Sequence, residues 1–276
     1  MVWGGGRWPE KKRRKRTKAI AAEDGSLSPL DAGLRAHQAG DLADTKAHYQ
    51  KALEDNPSDA GALHLLGVMA IQSGDFQGAV ERIENAIAVN AQVPAFHDHL
   101  GLALRQSGRP TEAEPHHRRA LELNAEFAPA HNNLAGTLLA LKRYAEAEKQ
   151  VRQALKLQPG EIGARLNLGR ILLAQNRPRA AIDALEAAKR GQPESAETAM
   201  HLGRAYQGAG MREKAGASFR QATKLTPKDA RCWMELGTFH MATEQFAEAA
   251  EAFKKAAAKP LPACANRRVS WAKFRC

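Results

Sequence analysis

The chain has 276 residues, with 41 Lys/Arg against 30 Asp/Glu and only 5% aromatic residues. Its net charge of +11 resembles a nucleic-acid signal until it is divided: residues 1–18 hold eight Lys/Arg against Glu10, residues 259–276 hold five against none, and the 28 basic and 29 acidic residues between them nearly cancel. This excludes a folded basic face, and the three cysteines (Cys232, Cys264, Cys276) give neither an even disulfide framework nor a metal-ligand spacing, which fits a reducing, cytoplasmic setting.

Residues 1–25 read as a basic, disordered tail: Met1 to Thr17 is glycine-rich and then strongly basic. Lys11, Lys12, Arg13, Arg14, Lys15 and Arg16 are the candidate contacts for nucleic acid or an anionic surface, against the plainer reading of a solvated tail. The apolar stretch that follows, Ala19 to Ala22, is too short for a signal-peptide core. No run anywhere approaches the roughly 20 apolar residues needed to span a bilayer.

From residue 26 to 263 one pattern returns every 34 residues without insertion. Its clearest copy is Ala128 to Glu161, and positions are counted here as places from Ala128. Place eight holds Gly33, Gly67, Gly101, Ala135, Gly169, Gly203 and Gly237; place twenty-seven holds Ala52, Ala86, Ala120, Ala154, Ala188, Ala222 and Ala256. Within the copy, Ala130 to Leu141 and Ala145 to Leu157 carry helical apolar spacing, Lys142-Arg143-Tyr144 makes the turn, and Pro159-Gly160 stops the second helix. Each copy is therefore a helical hairpin. A helix-interior glycine costs about 1 kcal/mol relative to alanine, so its recurrence implies close helix contact. The alanines at place twenty (Ala79, Ala113, Ala147, Ala181, Ala215, Ala249) imply the same. Leucines at place seven (Leu66, Leu100, Leu134, Leu168, Leu202, Leu236) fill the space between hairpins. Pro115, inside the second helix of the third copy, is expected to kink that helix or push its start toward His116.

Leu202, Gly203, Tyr206, Ala215, Phe219, Ala222 and Pro227, with Trp233 at place four of the last copy, give the pattern by which the chain resembles the tetratricopeptide repeat family. Departures are Thr45 for the place-twenty alanine of the first copy, and Ala91 and Ala125 for the closing proline of the second and third. The resemblance implies an all-α, right-handed superhelical solenoid of seven hairpins whose first helices line a concave, protein-binding groove. The phrasing of the second to fourth copies also resembles bacterial repeat regions fused to glycosyltransferase or sulfotransferase domains, which would make the chain the substrate-recruiting half of such an enzyme.

On the implied groove face, Leu27, Leu30, Leu34, Leu65, Val68, Ile71 and Leu102 form an apolar stretch suited to an amphipathic partner helix or to the chain's own leading segment near Ile20. From the third copy the face turns polar. Place six holds His99, Asn133, Asn167 and His201, with Asp98 and Asn132 at place five. Amides both donate and accept, so an aligned ladder would hold an extended backbone with little regard for its sequence. It is similar to the asparagine ladder of O-linked N-acetylglucosamine transferases, with Asn133 and Asn167 as the matching residues. Arg170 and Arg204 at place nine, and Arg231 at place two, are candidate partners for carboxylates. The place-five series lacks the lysine of a chaperone-tail clamp.

No catalytic, cofactor or metal constellation is legible. His97-Asp98-His99 and His116-His117 are adjacent on helices and point in different directions; His97 and His131, at place four, read as substitutes for tryptophan. Direct enzymatic activity is not expected. The repeat fails at Trp271, where place eight of an eighth copy needs a small residue, so residues 264–276 form a basic tail. Val269, Trp271 and Phe274 could cover the last hairpin; otherwise its apolar side stays open to a partner or to self-association.

Overall fold

The computed structural model describes residues 27–258, all in helices or short connections, with no strand among them. Fourteen helices pair as hairpins: α1 (Pro29–Ala39) with α2 (Leu42–Asp55), α3 (Ala60–Ser73) with α4 (Phe76–Val89), α5 (Pro94–Gln106) with α6 (Pro110–Leu123), α7 (Ala128–Ala140) with α8 (Tyr144–Leu157), α9 (Ile162–Ala174) with α10 (Pro178–Gly191), α11 (Ala196–Gly208) with α12 (Arg212–Leu225), and α13 (Ala230–Ala242) with α14 (Phe246–Ala257). The chain divides into two compact units between Leu100 and Gly101. The expectations for the basic tails, for Ile20, and for Val269, Trp271 and Phe274 fall outside the described residues.

In the first unit, Asp41, Asp59 and Asp75 each start a helix by accepting the N–H three residues on, at 3.2, 2.9 and 3.0 Å. The place-eight glycines then decide how closely the helices pair. A Cβ on Gly33 would stand 2.5 Å from the Tyr49 ring and one on Gly67 2.5 Å from Ile83 Cγ1. Tyr49, Ile83, Ala52, Ala79 and Ala86 are buried there, with Thr45 standing in for alanine and donating its hydroxyl to the Asp41 carbonyl at 2.5 Å.

The second unit repeats this contact: Gly101 meets His117, Gly169 meets Leu185 and Gly237 meets Phe253, each within 2.6 Å of an added Cβ. So place eight is small because place twenty-four is large. Where place eight is Ala135, the equivalent residue is Val151, smaller than tyrosine, phenylalanine, leucine or histidine, and both are fully buried. All the place-twenty alanines of this unit are fully buried. Leu134 and Leu202 at place seven are fully buried too, and Leu168 is half-buried.

Each hairpin turns through one residue in the left-handed region, always at place fifteen: Gly40, Gly74, Gly108 and Gly210, but also Lys142, Asn176 and Glu244 at φ near +60°. The next N–H reaches back across the turn, as from Arg143 to the Leu138 carbonyl at 2.9 Å. The expected effect of Pro115 on the helix start does not occur. α6 runs unbroken from Pro110 with Pro115 inside it, on an exposed face where its missing N–H leaves only the Thr111 carbonyl without an intrahelical donor.

Ion pairs tie neighbouring hairpins on the second-helix side. Glu114 of α6 accepts from Arg143 at 2.7 Å, and Glu148 of α8 accepts from Arg177 at 3.0 Å, the same two places one repeat apart. Burial disfavours the charged Glu148 carboxylate, but hydrogen bonds from Gln175 and Arg177 and the charges of Arg152 and Arg177 outweigh it and hold the carboxyl below its ordinary range.

Candidate functional site

Places five, six and nine of a first helix share one face. In the second unit this face carries Asn132, Asn133 and Gly136 on α7, Leu166, Asn167 and Arg170 on α9, Met200, His201 and Arg204 on α11, and Met234, Glu235 and Thr238 on α13. The amide pairing runs diagonally. Asn167 Nδ2 donates to Asn132 Oδ1 at 2.8 Å, joining place six of one hairpin to place five of the one before, and Arg170 Nη1 donates to Asn167 Oδ1 at 3.1 Å. The three side chains form a continuous, half-buried strip. The sequence aligns the ladder along place six with place five alongside; the bond crosses from one place to the other. The step from one hairpin to the next shifts the register by one residue, giving a spacing of 35 rather than 34.

The first unit pairs the same two places. His64 Nε2 and His99 Nδ1 lie 2.7 Å apart, one donating to the other, with ring centroids at 4.9 Å and Phe96 against His64 at 4.5 Å. Burial, then the neighbouring His99, pushes the His64 imidazole down to about 3, so it is neutral. Leu65, Val68 and Ile71 on α3 are half-buried, as are His99 and, in the second unit, Leu102; Leu34 is exposed.

Arg170, Arg204 and Arg231 surround His201 on α11. Burial, then the charges of these three arginines in that order, pushes its imidazole down to about 3. Its Nδ1 is buried without a partner. Arg204, exposed, is held by two bonds to Glu235, and Arg231 by Asp229 at 2.8 Å. Glu197, in the first turn of α11, stands 3.9 Å from both Arg170 Nη1 and His201 Nε2. Neither Glu197 nor Glu235 was singled out in the sequence; the signal available was a carboxylate at place two or six beside arginines at place nine.

Place four behaves as the tryptophan-substitute reading expects. Trp233 Nε1 donates to the Pro227 carbonyl at 3.0 Å, His97 and His131 Nε2 meet the Ala91 and Ala125 carbonyls at 3.0 Å, and Arg165 donates to Pro159 at 2.6 Å. Each is a side-chain N–H closing the preceding inter-hairpin turn six residues back. In the sixth hairpin Ala199 has no side-chain N–H to give, and Gln221 Nε2 faces the Pro193 carbonyl at 3.5 Å instead. Cys232 is buried and sits 3.3 Å from the Thr226 hydroxyl. Among the described residues no group of three His, Cys, Asp or Glu side chains is placed to hold a metal ion, and no helix is long and apolar enough to cross a membrane.

Several solved structures share this fold. pilF of Pseudomonas aeruginosa is 22% identical, with a TM-score of 0.59 over 70% of this chain and 88% of its own. A tetratricopeptide repeat protein of Parabacteroides merdae is 17% identical, with a TM-score of 0.66 over 85% of this chain and 93% of its own. The Cut9–Hcn1 hetero-tetramer of the APC/C gives 16% identity and a TM-score of 0.76 over 88% of this chain and 48% of that one. No curated protein matches the chain. One tetratricopeptide repeat model matches residues 36–101 and 104–161, and a second matches 134–196, 166–210 and 200–262. The chain therefore belongs to the tetratricopeptide repeat family, whose repeats generally mediate protein–protein interaction.

Proposed function

We propose that the chain is a non-catalytic adaptor that holds an extended segment of a protein partner against the first-helix face of its second unit. The observation that carries this reading is the bonded strip Asn132–Asn167–Arg170. A primary amide has two N–H donors and two lone pairs. The internal bonds engage one N–H of Asn167 and one lone pair on each asparagine, and the remaining groups suit alternating peptide N–H and C=O groups. An amide tethered to its neighbour also loses less rotamer freedom on binding than a free one, which lowers the cost of capture. Nothing in this arrangement reads side chains, so the segment is recognised by its backbone and by the charges beside the strip.

The test is a selection from a library of extended peptides. A photo-crosslinking residue replaces Arg204 in one variant and Lys149, on the outer side of α8, in another. The proposal expects adducts with selected peptides at 204 and not at 149. Adducts at 149 alone would place binding elsewhere.

A further inference from the structure

Glu197 is the least satisfied carboxylate in its surroundings. Glu235 takes two hydrogen bonds from Arg204 and Asp229 three from the Arg231 side chain, whereas Glu197 stands beyond hydrogen-bond distance of both Arg170 Nη1 and His201 Nε2, and its side chain is 53% exposed. It nonetheless sits where several favourable influences converge. Arg170 Nη1 and His201 Nε2 are both at 3.9 Å, its charge also acts on Arg231, and it lies in the first turn of α11, where the helix dipole favours an anion.

His201 adds a second observation. Only 8% of the residue is exposed and its Nδ1 has no partner. Leaving a lone pair unsatisfied is less costly than burying an N–H without an acceptor, so the neutral ring carries its proton on Nε2, the nitrogen that faces Glu197. A donor thus points at a carboxylate too distant to accept from it.

We propose that the cluster of Arg170 on α9 and His201 on α11 receives an acidic side chain of the bound segment, its carboxylate bridging the two, with Glu197 as the internal competitor that this carboxylate displaces. The inference rests on the backbone-clamp reading above and supplies its specificity: the partner segment is extended and carries Asp or Glu. A ligand carboxylate free of the helix can approach within hydrogen-bond distance, where charge-assisted bonds are about twice as strong as neutral ones.

The experiment uses the full chain and three capped peptides, acetyl-(Ser-Asp)6-amide, acetyl-(Ser-Asn)6-amide and acetyl-(Ser-Lys)6-amide, titrated by fluorescence anisotropy. The Asp peptide should bind most tightly. E197Q, which removes a weak competing ion pair and a like charge, should tighten it about three-fold, and R170Q should weaken it by a similar factor. K11Q/K12Q/R13Q/R14Q/K15Q/R16Q controls for attraction to the basic tail and should leave the effect of E197Q intact. Unchanged or weaker Asp-peptide binding in E197Q overturns the proposal, as does a preference that disappears with the tail charges, or no binding at about 1 mM peptide. Should the Asp and Asn peptides bind alike and both need Asn132 and Asn167, the acidic specificity fails while the backbone clamp stands. Should binding ignore Asn132 and Asn167 as well, both fail.

Discussion

Gly203 and Phe219 approach so closely that a Cβ on the glycine would lie 2.5 Å from the ring edge, although the two residues belong to different helices of one hairpin. The same contact joins Gly237 to Phe253, and the pair Ala135 and Val151 shows how the hairpin adapts when the small residue is not glycine. Gly203→Ala should therefore destabilise the protein by about 1–3 kcal/mol through overpacking. The cost should shrink in a Phe219→Val background. Thermal unfolding of the four variants of this cycle measures the coupling; equal costs in both backgrounds would mean that the ring does not set the glycine.

At place fifteen, Lys142 and Glu244 are exposed and hold φ of 62° and 61°. A non-glycine residue in that region costs about 1–2 kcal/mol, offset partly by the extra freedom glycine has when unfolded. Lys142→Gly and Glu244→Gly should each stabilise by about 0.5–1 kcal/mol, read as a raised unfolding midpoint. A lowered midpoint would show that the side chains contribute more than the backbone strain.

The hairpins were readable in the sequence because their determinants are local. Lys142-Arg143-Tyr144 marks the turn, Pro159-Gly160 the stop, and the glycine–alanine spacing the close face; the helix bounds differ from the expected ones by one or two residues. The left-handed turn was less legible, since three of its seven positions carry lysine, asparagine or glutamate in place of glycine. The site was legible only in its ingredients. Asn132, Asn167, Arg170, His201 and Arg204 were recognisable as one face, but their bonds depend on how far one hairpin steps past the next. No 34-residue comparison reveals that one-place shift. Nor does the sequence show that His201 is buried: the residue occupies the same place as half-buried Asn133 and Asn167.

Glu148 should make stability depend on acid. Its side chain is only 10% exposed and its carboxyl is held below the ordinary value of 4.5. A carboxyl depressed on folding contributes stability that is fully present above the unfolded value and lost as pH falls through the folded one. Wild type should thus exceed Glu148→Gln in stability near pH 7, and the gap should close as the pH drops below 4.5. A gap of constant size across that range would remove the ion pair as its cause. The next junction places Ile182 and Met211 where Glu148 and Arg177 stand, so Glu148→Ile with Arg177→Met should be close to neutral, as apolar replacements of shielded ion pairs often are.

Trp233→Phe keeps an aromatic ring beside Lys255, whose Nζ lies 4.8 Å from the ring centroid, but removes the donor to the Pro227 carbonyl. It should cost about 1 kcal/mol, with faster amide exchange in the turn before α13. Unaltered exchange there would mean that the bond does not close the turn.

The most direct measurement is the affinity of a peptide selected on the native chain for the Asn132→Ala/Asn167→Ala variant, with helicity checked by circular dichroism. Two half-buried amides contributing about 1 kcal/mol of hydrogen bonding between them and the peptide correspond to a loss of about five- to ten-fold, at unchanged helicity. Equal affinity in the two proteins would contradict the claim that this strip is what holds the partner.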